Sequence, residues 1–160
     1  MAKVLRERGH ATFEVNDLAR EKGLLGRLDR ERSTREVDVD ALDEALSTWQ
    51  LPGRVILVGH LSHLLTVDLI VVLRCRPSIL SERLMARGYE AKKVRENVEA
   101  EALDVILVEA VETGREVCEI DTSAIGAEAA ADAMEDILAG EREKYAAGDI
   151  DWSEEVLGWF

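Results

Sequence analysis

Arginine is the residue type whose placement first points to chemistry. Arg74 and Arg76 leave an apolar run that spans Asp68 to Leu73. Arg83 and Arg87 follow one helical turn apart, and Arg95 lies beyond a Gly88-Tyr89 break. A guanidinium presents a planar fork of donors that grips phosphate oxygens in pairs, so several arginines around one cleft suggest a polyanionic ligand. Taken one at a time, each arginine reads as a surface ion pair with one of the many carboxylates. Their shared position at strand ends is what lifts the cluster. His60-Leu61-Ser62-His63 invites a metal reading, but two histidines three residues apart, with His10 remote and no Cys-x-x-Cys, make a poor zinc set. His60 is better placed as a polar group that faces a ligand at a strand end. Ser62 has no evident partner base, so a nucleophilic role is unsupported.

The elements that must hold these residues are legible in the periodicity. Four short β-like runs, Thr12 to Val15, Arg54 to Val58, Asp68 to Leu73 and Glu116 to Ile120, alternate with helical patterns. The second follows a Pro52-Gly53 turn signal. The third has the near-continuous apolar character of a strand buried on both faces. Leu42, Ala45, Leu46 and Trp49 step with helical spacing after Asp38 and Asp40, acids that suit a helix start. Ser78 is expected to cap a helix that packs through Leu80 and Leu84 and ends at Gly88. One long helix is expected from Ala91 to Glu112, with Val94, Val98, Leu103 and Ile106 on its packed face. A last one is expected from Ile125 to Ala139, with Ile125, Ala129, Ala133 and Ile137 on one stripe and Gly140 as its stop.

Strands alternating with helices of this length predict an α/β fold, a parallel sheet with helices on both faces. Ligands of such sheets bind outside the carboxyl ends of the strands. The positions that matter are then Asn16-Asp17, Gly59-His60, Arg74 with Arg76, and Asp121-Thr122-Ser123. The stretch Tyr145 to Phe160 holds two of the three tryptophans with little periodicity. It is expected to pack back as an irregular arm, with docking of an apolar peptide onto a partner as the alternative.

Composition bounds the rest. The 160 residues are one domain's worth, and at 47% apolar and 33% charged, with two prolines, they have a globular balance. The longest clean apolar run is Leu69 to Leu73, far short of the roughly 20 residues of a membrane helix. Met1 to His10 is too charged for a secretory signal. Cys75 and Cys118 sit inside apolar segments, which suits a reducing cytoplasm and not a disulfide scaffold. A net charge of −13 argues against generic nucleic-acid binding. Only five of the 20 basic residues are lysines and the acids are spread along the chain. That distribution fits either an ordinary acidic protein or one kept soluble in salty cytosol, where self-repulsion is screened.

Several stretches taken together carry a family resemblance: Val15-Asn16-Asp17-Leu18-Ala19, Gly59-His60-Leu61-Ser62-His63-Leu64, Val72-Leu73-Arg74-Cys75-Arg76-Pro77, Arg83-Leu84-Met85-Ala86-Arg87-Gly88-Tyr89 and Val94-Arg95-Glu96-Asn97-Val98-Glu99-Ala100-Glu101. In this order and spacing the sequence resembles archaeal, and in its acidic tail haloarchaeal, members of the adenylate-kinase-like family that includes the coilin-interacting nuclear ATPase. The resemblance implies a P-loop nucleoside-monophosphate kinase fold over residues 1–140, with 141–160 as a C-terminal arm. It implies transfer of the ATP γ-phosphoryl group to AMP with Mg²⁺, or slow ATP hydrolysis. It also implies a part in small-subunit ribosome and rRNA maturation through a small-subunit ribosomal protein. Asn16 and Asp17 then open a monophosphate-binding segment over 14–37, and 86–96 is a lid. His60 and Arg87 take catalytic places, and Arg74, Arg76 and Arg83 join them around the nucleotide.

Two departures accompany the matches. The sequence contains no Gly-x-x-x-x-Gly-Lys-Ser/Thr, the loop whose amides, lysine and hydroxyl hold phosphates and Mg²⁺. Val58 stands where the family usually has a carboxylate, and Asp121 is a substitute acid or an ordinary strand-end cap. In the family a central strand precedes that loop, between the runs 54–58 and 68–73. Its lack is expected to leave two ladder edges unpaired, so the recorded start reads as internal to a longer frame and turnover is expected to be low. The alternative is a non-catalytic assembly factor that binds a ribosomal protein.

Overall fold

In a computed structural model of the chain, residues 1–29, 34–49 and 53–159 are described. Residues 30–33 of the expected monophosphate segment and Pro52 of the expected turn lie outside them. The chain forms two compact units, Met1–Val67 and Asp68–Phe160. Among the described residues no helix is long and apolar enough to cross a membrane.

The first unit runs α1 (Ala2–Glu7), β1 (Ala11–Glu14), α2 (Val15–Glu21), β2 (Leu25–Asp29), β3 (Thr34–Val37), α3 (Val39–Ser47), β4 (Val55–Val58) and a 3-10 turn over Ser62–Leu64. β1 and β4 pair in parallel, Ala11 opposite Val55 and Glu14 opposite Val58. Asp38 caps α3 by accepting from the Ala41 amide at 3.0 Å, the acid start anticipated from the sequence. Val15, Leu18 and Ala19 of α2 meet Leu42 of α3 and Leu65 in a buried cluster, with Phe13, Leu46, Trp49 and Leu57 around it. The Phe13 and Trp49 rings meet in a tilted pair, 57° between planes with centroids 5.1 Å apart, within the range of favourable aromatic contacts. β2 and β3 form an antiparallel pair that periodicity did not announce. A register shift between Leu25 and Leu28 interrupts the two-residue alternation from which a strand is recognised.

The second unit runs β5 (Leu69–Arg74), α4 (Pro77–Ala86), α5 (Ala91–Ala102), α6 (Val105–Glu112), β6 (Glu116–Asp121), α7 (Ala127–Ala139), a 3-10 turn over Glu143–Tyr145 and α8 (Ser153–Leu157). β5 and β6 pair in parallel from Leu69 opposite Glu116 to Arg74 opposite Asp121. Parallel strands flanked by helices make this the α/β architecture expected. Among the described residues the ladders are three separate pairs, so the four expected strands form two parallel pairs and not one continuous sheet.

Four local expectations are corrected. β5 buries Ile70, Val72 and Arg74, while Leu73 is 42% exposed, so the apolar run is not buried on both faces. Pro77 takes the first position of α4, where its missing N–H costs nothing, so Ser78 lies inside the helix and is not its cap. The single helix over 91–112 is broken at Asp104, which adopts φ +54° and separates α5 from α6. Aspartate tolerates this left-handed conformation better than most residues, and the break leaves Leu103 exposed where packing was expected. The buried residues of α7 are Ala130, Ala131, Ala133, Met134 and Ile137; Ala129 faces solvent. Gly140, at φ +106°, ends that helix as anticipated.

Leu42 is fully buried in the first unit. Leu42→Ala is expected to destabilise that unit by about 2–5 kcal/mol, read from urea unfolding, because the lost side chain leaves a cavity as well as lost burial.

Candidate nucleotide site at the strand ends

In the first unit the carboxyl ends of β1 and β4 lie side by side, because Glu14 and Val58 are ladder partners. α2 starts at the residue after β1, which places Asn16 and Asp17 in its exposed first turn. Asp17 accepts from Arg20 at 2.6 Å along the same helix. The chain after β4 turns at Gly59, where an added Cβ would stand 3.1 Å from the Val15 side chain. That close approach brings exposed His60 to the same edge as Asn16 and Asp17. The Ser62 hydroxyl donates to the Gly59 carbonyl at 2.7 Å and so closes the turn. Asp43 of α3 holds the far side of this loop, accepting from the Thr66 amide at 2.6 Å and its hydroxyl at 2.7 Å. His63 is buried.

In the second unit the strand ends also converge, but the arginines there do different work from one another. Arg74 is 1% exposed. Its Nε donates to Glu101 at 2.8 Å, Nη1 to Glu119 at 2.5 Å and Nη2 to Asp104. Its guanidinium carbon lies 5.8 Å from the Trp152 ring centroid. Burial pulls its pKa down, but the bonds and charges of the three carboxylates outweigh that and hold it above the ordinary value. The nucleotide contact expected of Arg74 is therefore corrected: each guanidinium nitrogen already donates to a carboxylate, out of reach of a ligand. Arg83 is half-buried and donates to the carbonyls of Thr122 at 2.8 Å and Ser123 at 3.2 Å, fixing the loop after β6. Asp121 accepts from the Ser123 amide at 2.8 Å, the ordinary strand-end cap. Arg76 is exposed, with Nε 3.9 Å from Glu155, and its amide donates to the Ser123 hydroxyl at 2.7 Å. Arg87, at the C-cap of α4, is exposed and has no ion-pair partner among the described residues. Of the second unit's expected contacts, Arg76 and Arg87 are thus the two presented to solvent.

Glu101, Asp104, Glu119 and Trp152 are the residues that strand-end reasoning missed. One signal was present: Glu119 stands between Cys118 and Ile120 inside an apolar strand, where an unpaired charge would be prohibitively costly. Among the described residues no three His, Cys, Asp or Glu side chains converge as metal ligands. Val58, half-buried at the end of β4, offers no donor.

Arg74→Ala is expected to cost about 3–5 kcal/mol of stability, because it strands buried carboxylates, whereas Arg87→Ala should stay within about 0.5 kcal/mol. Urea unfolding of both variants checks this. Burial also pushes both thiols up, Cys75 against the pull of Arg83 and Cys118 with the added repulsion of Glu116. A raised folded pKa means stability that is complete below the free thiol's value of about 8.5 and falls as pH climbs through the folded one. Unfolding free energies at neutral and alkaline pH should show that loss, and both thiols should react with a disulfide reagent only slowly until denaturant is added.

A sequence profile described as an AAA domain matches residues 1–104. A protein of Archaeoglobus fulgidus named "Putative adenylate kinase" is 43% identical over 159 residues, 98% of this chain and 85% of its own length. Proteins of the same name are 46% identical over 146 residues in Natronomonas pharaonis, covering 90% of this chain and 84% of that one. In Methanothermobacter thermautotrophicus the figures are 40% over 160 residues, 99% and 92%. With parallel strands whose carboxyl ends gather the polar residues, and with relatives at these identities over nearly its whole length, the chain belongs to the adenylate-kinase-like P-loop kinase family.

Proposed function

We propose that this kinase-like nucleotide-binding protein transfers the γ-phosphoryl group of ATP to AMP, giving two ADP, and hydrolyses ATP slowly when water replaces the acceptor. In the transfer an oxygen of the AMP phosphate forms the new bond to the γ-phosphorus as the bridging oxygen to the β-phosphate leaves with its electron pair. The observation that carries the reading is the named kinship over nearly the full chain, joined to exposed Arg87. Asn16, Asp17 and His60 share one strand-end edge and would orient the acceptor. Arg87 would neutralise charge spreading over the transferred group, and Arg76 would add to the field at its own strand end. The segment 86–96, which joins α4 to α5, would act as the lid.

Phosphoryl transfer is mostly positioning and charge neutralisation, so the arginines presented at the strand ends bear on its rate. We place the protein in the cytoplasm and in the branch that contains the coilin-interacting nuclear ATPase, assisting small-subunit ribosome maturation through a ribosomal protein. The acidic charge, with arginine in excess over lysine, supports a salty interior.

Val58, which stands at the end of β4 where a carboxylate would be needed to order Mg²⁺ or its water, favours a second reading, an assembly factor that binds the ribosomal protein without phosphoryl transfer. A coupled assay of ADP formed from ATP and AMP separates the two. The kinase reading expects slow ADP formation that requires AMP and falls about tenfold or more in Arg87→Ala. No AMP-dependent ADP, with capture of the basic ribosomal protein indifferent to ATP and weakened by salt, would replace it with the second reading.

A further inference from the structure

The C-terminal arm is fastened to the second unit at three places. At its start Lys144 and Tyr145 both bond to Asp136 of α7, at 2.9 Å and 3.0 Å. In its middle the Gly148 amide donates to Glu119, and the Trp152 indole donates to Glu101 at 2.8 Å, so the arm shares the two carboxylates that hold Arg74. An isolated antiparallel bridge joins Ala146 to Cys118 of β6. Near its end Glu155 accepts from the Ser78 amide at 2.7 Å, in the first turn of α4, with Arg76 alongside. Beyond α8 the arm reaches a groove of about 700 Å³, where Trp159 stands with Met85, Tyr89, Val94, Arg95 and Val98. That groove lies between α4 and α5, so the arm bonds to the first turn of α4 and lines the groove toward the hairpin's bend.

We infer that this arm is a positioning strap for the α4–α5 hairpin: Glu155 fixes the first turn of α4, and Trp159 walls the groove against which α5 rests. The hairpin carries Arg83, Arg87 and Arg95, and under the kinase reading its bend is the lid, so the strap's docking sets how well the lid grips nucleotide. Glu155 and Trp159 are positioning residues. Neither is needed for the buried Arg74 cluster, and Trp159 is 47% exposed, so each can be altered with little effect on the rest of the unit.

The test uses the full chain with Glu155→Ala and Trp159→Ala. Hydrogen exchange followed by mass spectrometry should show amides of α4 and of the first half of α5 exchanging roughly tenfold faster, with those of β6 and α7 unchanged. Unchanged exchange in the hairpin in both variants overturns the strap. In AMP-dependent ADP formation the KM for ATP should rise about threefold or more while kcat and the urea midpoint hold. Faster exchange with an unaltered KM in an active protein overturns the strap's grip on the lid. If the unmodified chain forms no ADP, the kinase reading fails by itself, and the exchange rates alone decide the strap.

Discussion

A buried guanidinium among three carboxylates organises the second unit. Arg74 sits at the end of β5 with its fork divided among Glu101 of α5, Asp104 at the start of α6 and Glu119 of β6. Taking such charges from water costs several kcal/mol per ion, and only well-placed hydrogen bonds return it. The returns are nearly complete here. Glu101 also accepts from the Cys75 amide and the Trp152 indole, and Glu119 from the Gly148 amide. Among the described residues no buried side-chain nitrogen or oxygen lacks a partner. The cluster therefore fixes a geometry more than it adds net stability: strand, helix break and arm must all be in place before every donor and acceptor is matched.

That requirement explains features that are otherwise odd. Asp104 holds a left-handed backbone in the middle of what looks like one helix. The bend lets its carboxylate meet Arg74 and starts α6, which returns toward β5 and β6. A straight helix would carry the acid past the strand end. The arm is tied in by the same logic, because Glu101 and Glu119 have lone pairs left after Arg74 is served, and the indole and amide of the arm take them. An irregular tail can thus be held firmly without a periodic apolar face.

Much of this architecture was legible in the sequence, and the parts that were not share a cause. The alternation of strands and helices, the start of α3 at Asp38 and the stop of α7 at Gly140 are written in local patterns, and the structure agrees. The strand-end rule gathers Asn16 and His60 on one edge and Arg74, Arg76 and Asp121 on another, and the strand pairing has them so placed. It could not tell an arginine that faces solvent from one that is buried, because that difference is decided by acids 27 to 45 residues away in the chain. The β2–β3 pair was hidden by its register shift, and the break at Asp104 by apolar spacing that continues through it. Long-range ion pairs and bulges leave almost no periodic trace.

The same distinction governs how an acidic chain can handle a polyanion. A net charge of −13 opposes the approach of a nucleotide at long range, yet exposed charges separated by more than about 8 Å are largely screened at physiological salt. What a phosphate meets on arrival is local. Around the bend between α4 and α5 stand Arg87, Lys93 and Arg95, the Lys93 ammonium 5.0 Å from the Tyr89 ring centroid. Arg74 adds nothing to that field, since its charge is more than cancelled by three carboxylates. Among the described residues of this unit, exposed Arg87 and Arg95 can thus offer a ligand positive potential that buried Arg74 does not. Raising salt mutes the distant acids before it mutes the contact arginines, so screening narrows the penalty of an acidic surface for nucleotide binding.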